Sequence, residues 1–236
     1  MTTVLIGGGH DDLGTVLAPF LAAAGTDPVV ACVVVDEGSG ADEFATWAAA
    51  LQDTAPCRPV PVLVPLGAPF SLDSLDGGDA LFVAGGLTPA YAEALVPLAA
   101  PIRDWLAHGR PYAGFSAGAA IAPSAAVIGG WLLAGRPVCP SDAAESLDEV
   151  TVIDGLGLLD LAVDVHAAQW GTLGRLIGAV TAGLVPAGLA LDNHAALVVD
   201  DDGGLSVLGS GVAHLVRPAA SGVSVVSFTG GAPLTV

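Results

Sequence analysis

The sequence contains no lysine: its six basic residues are all arginine, set against 24 aspartates and glutamates, for a formal charge of -18. A nucleic-acid partner needs a basic footprint to displace counterions from phosphates, and none exists here. Charge of either sign is sparse, at 13% of residues, while 53% are hydrophobic, which excludes intrinsic disorder. Cysteine is scarce as well. Cys32, Cys57 and Cys139 are an odd set with no Cys-x-x-Cys pair. That excludes a disulfide framework and fits a reducing, cytoplasmic setting. No His, Cys, Asp and Glu cluster has ligand spacing, so no metal is expected, and no other cofactor is implied. The opening MTTVLIGGGHDD has neither a basic stretch nor a long apolar run, so no secretion signal is expected. The uncharged stretch 111–135 is interrupted by two prolines and two serines, and it reads as buried core rather than a membrane span.

What is present is the pattern of an α/β protein. Short β-branched runs at Thr3–Ile6, Val29–Val35, Pro61–Val64, Ala80–Val83 and Pro111–Ala113 alternate with helical patterns near 12–24, 40–54, 89–108 and 117–122. Continuous apolar strands with helix-length spacers predict a doubly wound, mostly parallel sheet with helices on both faces. After a helical stretch near 168–183, short strands recur at 187–191, 195–200, 205–208, 212–216 and 223–227. Their short turns predict antiparallel hairpins near the C-terminus, added to the sheet edge. No Pro/Gly/Ser linker divides the chain, so residues 1–236 are expected to form one domain.

Three glycine-containing loops follow predicted strands. Gly7-Gly8-Gly9-His10 suggests a dinucleotide fingerprint, but position 12, where a third glycine is required, is Asp. A tight turn with acidic N-capping by Asp11 and Asp12 is the expectation, with His10 a solvated turn residue. Gly114-Phe115-Ser116-Ala117-Gly118 is a G-x-S-x-G elbow between a strand and a helix of small residues. Such a turn lifts the Ser116 hydroxyl above the sheet and aims the Ala117 N–H at a developing oxyanion, with the helix N-terminus adding positive partial charge. In a chain with 32 glycines the pentapeptide alone is weak, and its strand–turn–helix context is what favours function. Gly85-Gly86-Leu87-Thr88-Pro89 also leaves a strand, with Thr88 as N-cap and Gly86 as a second oxyanion donor or a plain turn.

A serine nucleophile needs a base. His108 fits a helix C-terminus and His214 a strand. His166 follows the strand-like LAVDV, at the end of a strand where open α/β sheets assemble sites. His194, in the turn Asp192-Asn193-His194, is the other candidate.

Taken together, DALFVAGGLTPAY, GRPYAGFSAGA, Asp164-Val165-His166 with Gly174-Arg175-Leu176, and GLALDNHAALVV resemble the S51 serine peptidases, the family of aspartyl dipeptidase and cyanophycinase. The likeness covers residues 1–200. It implies a class I glutamine amidotransferase-like fold, with Ser116 as nucleophile, His166 as base, and Gly86 and Ala117 as oxyanion donors. A glutamine amidotransferase itself would need a cysteine at the elbow, and none is there. Where the family has its triad glutamate this chain has Asn193, flanked by Asp192. Either Asp192 or Asp164 takes the acid's role, or Asn193 serves, or the site is weak or inactive and the protein binds a ligand instead. The cyanophycinase-like arginines are replaced by Trp170 and Thr172, and only Arg175 remains, a candidate for a substrate carboxylate or for a helix-surface ion pair. Leu87 and Trp170 make the expected substrate site apolar. The expectation is a cytoplasmic serine hydrolase of short peptides or isopeptides, monomer or homodimer, with no membrane partner. Residues 123–150 form either a covering lid or a surface excursion.

Overall fold

The structure is a computed structural model that describes residues 1–231 and 233–234. Strands β1 (Thr3–Ile6), β2 (Val29–Asp36), β3 (Arg58–Pro65), β4 (Ala80–Val83) and β5 (Tyr112–Phe115) alternate with helices α1 (Leu13–Ala24), α2 (Gly40–Thr54), α3 (Thr88–Leu95) and α4 (Ala99–Leu106). The one-turn α5 (Ala117–Ala120) follows. Then come β6 (Ala125–Gly129), β7 (Leu132–Leu133), β8 (Arg136–Pro137), β9 (Thr151–Asp154), β10 (Ala162–Val165) and α6 (Leu173–Thr181). The chain continues through β11 (Gly188–Leu191), β12 (Ala195–Val199), β13 (Leu205–Gly209), β14 (Val212–Pro218), β15 (Val223–Thr229) and β16 (Pro233–Leu234).

The main sheet runs β16-β13-β12-β1-β5-β4-β2-β3, parallel from β1 to β3 and antiparallel on the other side. Its central strands are apolar throughout because both faces are covered: every residue of β1, β4 and β5 is buried. β3 carries Pro59, Pro61 and Pro65, which cannot donate to a ladder, and it lies at the edge where β2 is its partner. The single helix expected over 89–108 is two, because Pro97 sits in a short 3-10 turn at Val96–Leu98. α2 is anchored at its start by Asp36, whose Oδ1 accepts the Gly38 and Gly40 N–H groups at 2.8 Å. Those bonds hold the Asp36 carboxyl below the usual range.

The expected hairpins divide between two sheets. β12, β13 and β16 extend the main sheet, but β11, β14 and β15 join β10 in a second sheet, order β10-β11-β14-β15. The apolar face of α6 (Leu176, Ala179, Val180) requires a surface of its own, and it packs with Ala162, Ala190 and Val216 of that sheet. Consequently Asp192-Asn193-His194, which joins β11 to β12, crosses from one sheet to the other. Residues 123–150 are an ordered excursion, in which β6 pairs with β9 and β7 with β8.

Candidate active site

The carboxyl ends of β1, β4 and β5 lie side by side, and the loops leaving them meet there. Ser116 stands between β5 and α5 at φ 49°, ψ −107°, a conformation costing about 1–3 kcal/mol that only its surroundings can enforce. Its N–H donates to Ile6 O at 2.9 Å, and its carbonyl accepts from Ala119 and Ala120 at 2.9 Å. The flanking glycines are steric necessities. A Cβ on Gly114 would overlap the Gly118 carbonyl, and one on Gly118 would overlap that of Val83. The Tyr112 hydroxyl donates to Gly118 O at 2.7 Å and pins the turn from within the core, where burial raises its pKa and keeps it protonated.

The Ser116 Oγ and His166 Nε2 are 2.8 Å apart, and His166 Nδ1 is 2.6 Å from Asn193 Oδ1. An amide oxygen only accepts, so Nδ1 carries the proton and Nε2 is free to accept from the serine. His166 follows β10 at φ 57°, and its N–H donates to Gly7 O at 3.0 Å. The glycine run of residues 7–9 finds its reason here. Gly8 has φ 133°, and a side chain on it would collide with the His166 ring and Asn193 Oδ1. Burial pushes the His166 pKa down, and the hydrogen bond its Nδ1–H donates to Asn193 partly opposes that. The imidazole is therefore neutral at neutral pH, as a base must be.

The alternatives for base and acid are placed elsewhere. His194 Nδ1 is 3.2 Å from Asp11 O, and the Ser116 Oγ pairs with His166 instead. Asp192 does not reach His166: its Oδ1 accepts from Ala168 N at 2.9 Å, its Oδ2 from Val212 N at 3.4 Å, and His214 Nε2 is 3.6 Å away. Asp164 and Arg175 form a buried two-pronged ion pair, Nε–Oδ2 2.8 Å and Nη2–Oδ1 2.7 Å. The Arg175 Nη1 donates to Ala143 O at 2.6 Å. Arg175 is 3% exposed. It is thus neither a substrate ligand nor a surface ion pair but a tie between α6, β10 and the 123–150 excursion.

Gly86 and Ala117 flank Ser116, and among the described residues neither N–H donates to a protein acceptor. α5 is a single turn, so those two peptide donors, and not a helix dipole, carry the positive potential. The Gly85–Thr88 loop is gripped by two carboxylates: Leu87 N donates to Glu37 Oε1 at 3.0 Å, and Thr88 N to Glu145 Oε2 at 2.9 Å. Thr88 is accordingly the first helical residue and Leu87 the N-cap, one position earlier than the sequence suggests, because Glu145 reaches in from a distant segment. Asp12 likewise sits at the N-cap of α1 in a left-handed conformation, with no side-chain bond to the helix N–H groups.

These groups line a cavity of about 830 Å³. Trp47, Phe115, Leu87 and Trp170 give it apolar walls, and His10 is exposed at its margin with its ring 5.2 Å from that of Phe115. Glu37, Glu43, Asp142 and Glu145 give it four carboxylates, with no arginine or lysine among the described lining residues. The glutamates carry no motif in the sequence, and Glu145 arrives only through two successive left-handed residues, Glu145 at φ 55° and Ser146 at φ 61°. Trp170 stacks on His166, ring centroids 3.8 Å apart and planes 26° from parallel. Among the described residues no group of three or more His, Cys, Asp or Glu side chains could hold a metal ion. Cys32 is buried with its pKa pushed up to about 12. No helix of the described residues is long and apolar enough to cross a membrane.

The chain is 34% identical over 146 residues to the cyanophycinases of Trichormus variabilis and a Nostoc species. That match covers 61% of this chain and 44% of each relative, so it spans under half of their length. No family model matches the chain. A peptidase from an acI-B1 actinobacterium superposes with TM-score 0.70 at 15% identity, covering 100% of this chain and 96% of that one. A protein described as a putative peptidase E from Listeria monocytogenes gives 0.56 at 15% identity, covering 97% and 98%. The S51-like resemblance therefore holds in sequence to cyanophycinases, and the fold is that of peptidase E-like proteins.

Proposed function

We propose that this protein is a serine-type peptidase acting on short peptides or isopeptides. The observation that carries the reading is the 2.8 Å contact of Ser116 Oγ with His166 Nε2 at a strained elbow. As the Ser116 oxygen attacks the scissile carbonyl, His166 Nε2 takes its proton, and the Gly86 and Ala117 N–H groups receive the oxyanion. His166 returns the proton to the leaving amine. Water, deprotonated by the same imidazole, then releases the acyl group and restores Ser116. Four carboxylates, with no arginine or lysine among the described lining residues, favour substrates bearing a positive group over anionic ones, because a carboxylate brought there meets like charge.

Intact-protein mass after treatment with a fluorophosphonate tests the mechanism. A single adduct that is lost in Ser116→Ala supports it; folded protein that takes no adduct overturns it. Asn193 favours one other reading, a ligand-binding protein with a weak catalytic site. In serine proteases an Asp→Asn change at the corresponding role lowers turnover by about 10⁴, or about 5.5 kcal/mol.

A further inference from the structure

An imidazole that is to accept a proton in this site has little charge to lean on. Asn193 offers it an amide dipole. Asp164, two residues earlier on β10, has both oxygens committed to Arg175, and the two opposite charges act on His166 together. His10, on the loop after β1, adds repulsion when protonated. Asp192 is turned to the Ala168 and Val212 N–H groups, and His194 to Asp11. The remaining face of the ring is covered by an indole.

We propose that Trp170 is a positioning residue for His166 that stabilises its imidazolium through the ring face, supplying part of what a triad carboxylate would. The stack is built rather than incidental. Trp170 N donates to His166 O at 2.8 Å, closing one turn that sets the indole over the imidazole. The same turn is fixed just before Trp170 by Ala168 N donating to Asp192 Oδ1 at 2.9 Å and by Asn193 N donating to Gln169 Oε1 at 2.8 Å. Tryptophan is the best aromatic partner for a cation, and such a contact is worth roughly 2- to 30-fold in an equilibrium or rate.

The inference uses the proposed hydrolase mechanism only for its kinetic consequence, because the pKa of His166 is measurable without any reaction. Titration of the His166 imidazole by NMR, with its signal assigned by loss in His166→Ala, compares wild type with Trp170→Leu and Trp170→Phe. Leucine keeps apolar cover and removes the ring. It is expected to lower the pKa by about 0.4–1.5 units and to slow acylation by fluorophosphonate correspondingly, while phenylalanine retains a smaller part of both effects. Trp170 is 45% exposed, so neither variant empties the core. An unchanged or raised His166 pKa in Trp170→Leu overturns the proposal. A wild-type protein that takes no adduct but shows the pKa shift overturns the hydrolase reading and leaves this one standing.

Discussion

An imidazole that takes the Ser116 proton carries positive charge at the moment the carbonyl is attacked, and its neighbours decide what that charge costs. Here the neighbour at Nδ1 is neutral. Asn193→Asp is isosteric, puts a carboxylate 2.6 Å from Nδ1, and is expected to raise the acylation rate at pH 8 by at least about tenfold, toward the ~10⁴ that separates the two groups elsewhere. The same change raises the His166 pKa and moves the acid limb of the pH–rate profile upward; stopped-time mass spectrometry across pH 5–9 reads both. In the wild type that limb is expected below the ordinary histidine value of about 6.5, because burial depresses the folded-state pKa. The unfolded chain binds the proton more readily, so this residue's contribution is complete above about pH 6.5 and declines as pH falls from there toward the depressed value. His166→Gln removes that dependence, and urea titrations at two pH values detect its loss.

At the scale of elements, the Asp164–Arg175 pair joins β10 and α6 to the excursion that supplies Glu145 to the Gly85–Thr88 loop. Removing one buried partner leaves an uncompensated charge, so Arg175→Ala should cost about 3–5 kcal/mol in urea unfolding. Asp164→Asn with Arg175→Met should recover most of that. Gly118→Ala drives a methyl into the Val83 carbonyl and should cost about 1–3 kcal/mol while displacing Ser116. These elements also mark where the sequence is readable. The buried runs of β1, β2 and β4 and the G-x-S-x-G turn announce themselves, since period and glycine placement are local properties. Arg175 does not: a lone arginine in α6 looks the same whether it faces water or a carboxylate eleven residues back. Neither the division of the hairpins into two sheets nor the grip of Glu145 on Thr88 has a local signal, because both depend on which distant surface needs covering.

For the molecule as a whole, a charge of -18 on 236 residues favours solubility and works against compactness. Screening shortens the reach of that repulsion, so the melting temperature should rise by a few degrees between about 10 mM and about 0.5 M NaCl; a flat profile in scanning calorimetry would refute this. The passage of Asp192-Asn193-His194 from one sheet to the other has a kinetic consequence. Ser116 follows β5 of the main sheet, His166 follows β10 of the second sheet, and Asn193 lies in the stretch between β11 and β12, which has left one sheet without yet entering the other. No single sheet, however well formed, holds a competent site. During refolding from urea, far-UV ellipticity should therefore recover ahead of fluorophosphonate reactivity, which waits for both sheets to dock, so that the nucleophile stays unarmed in a half-folded chain.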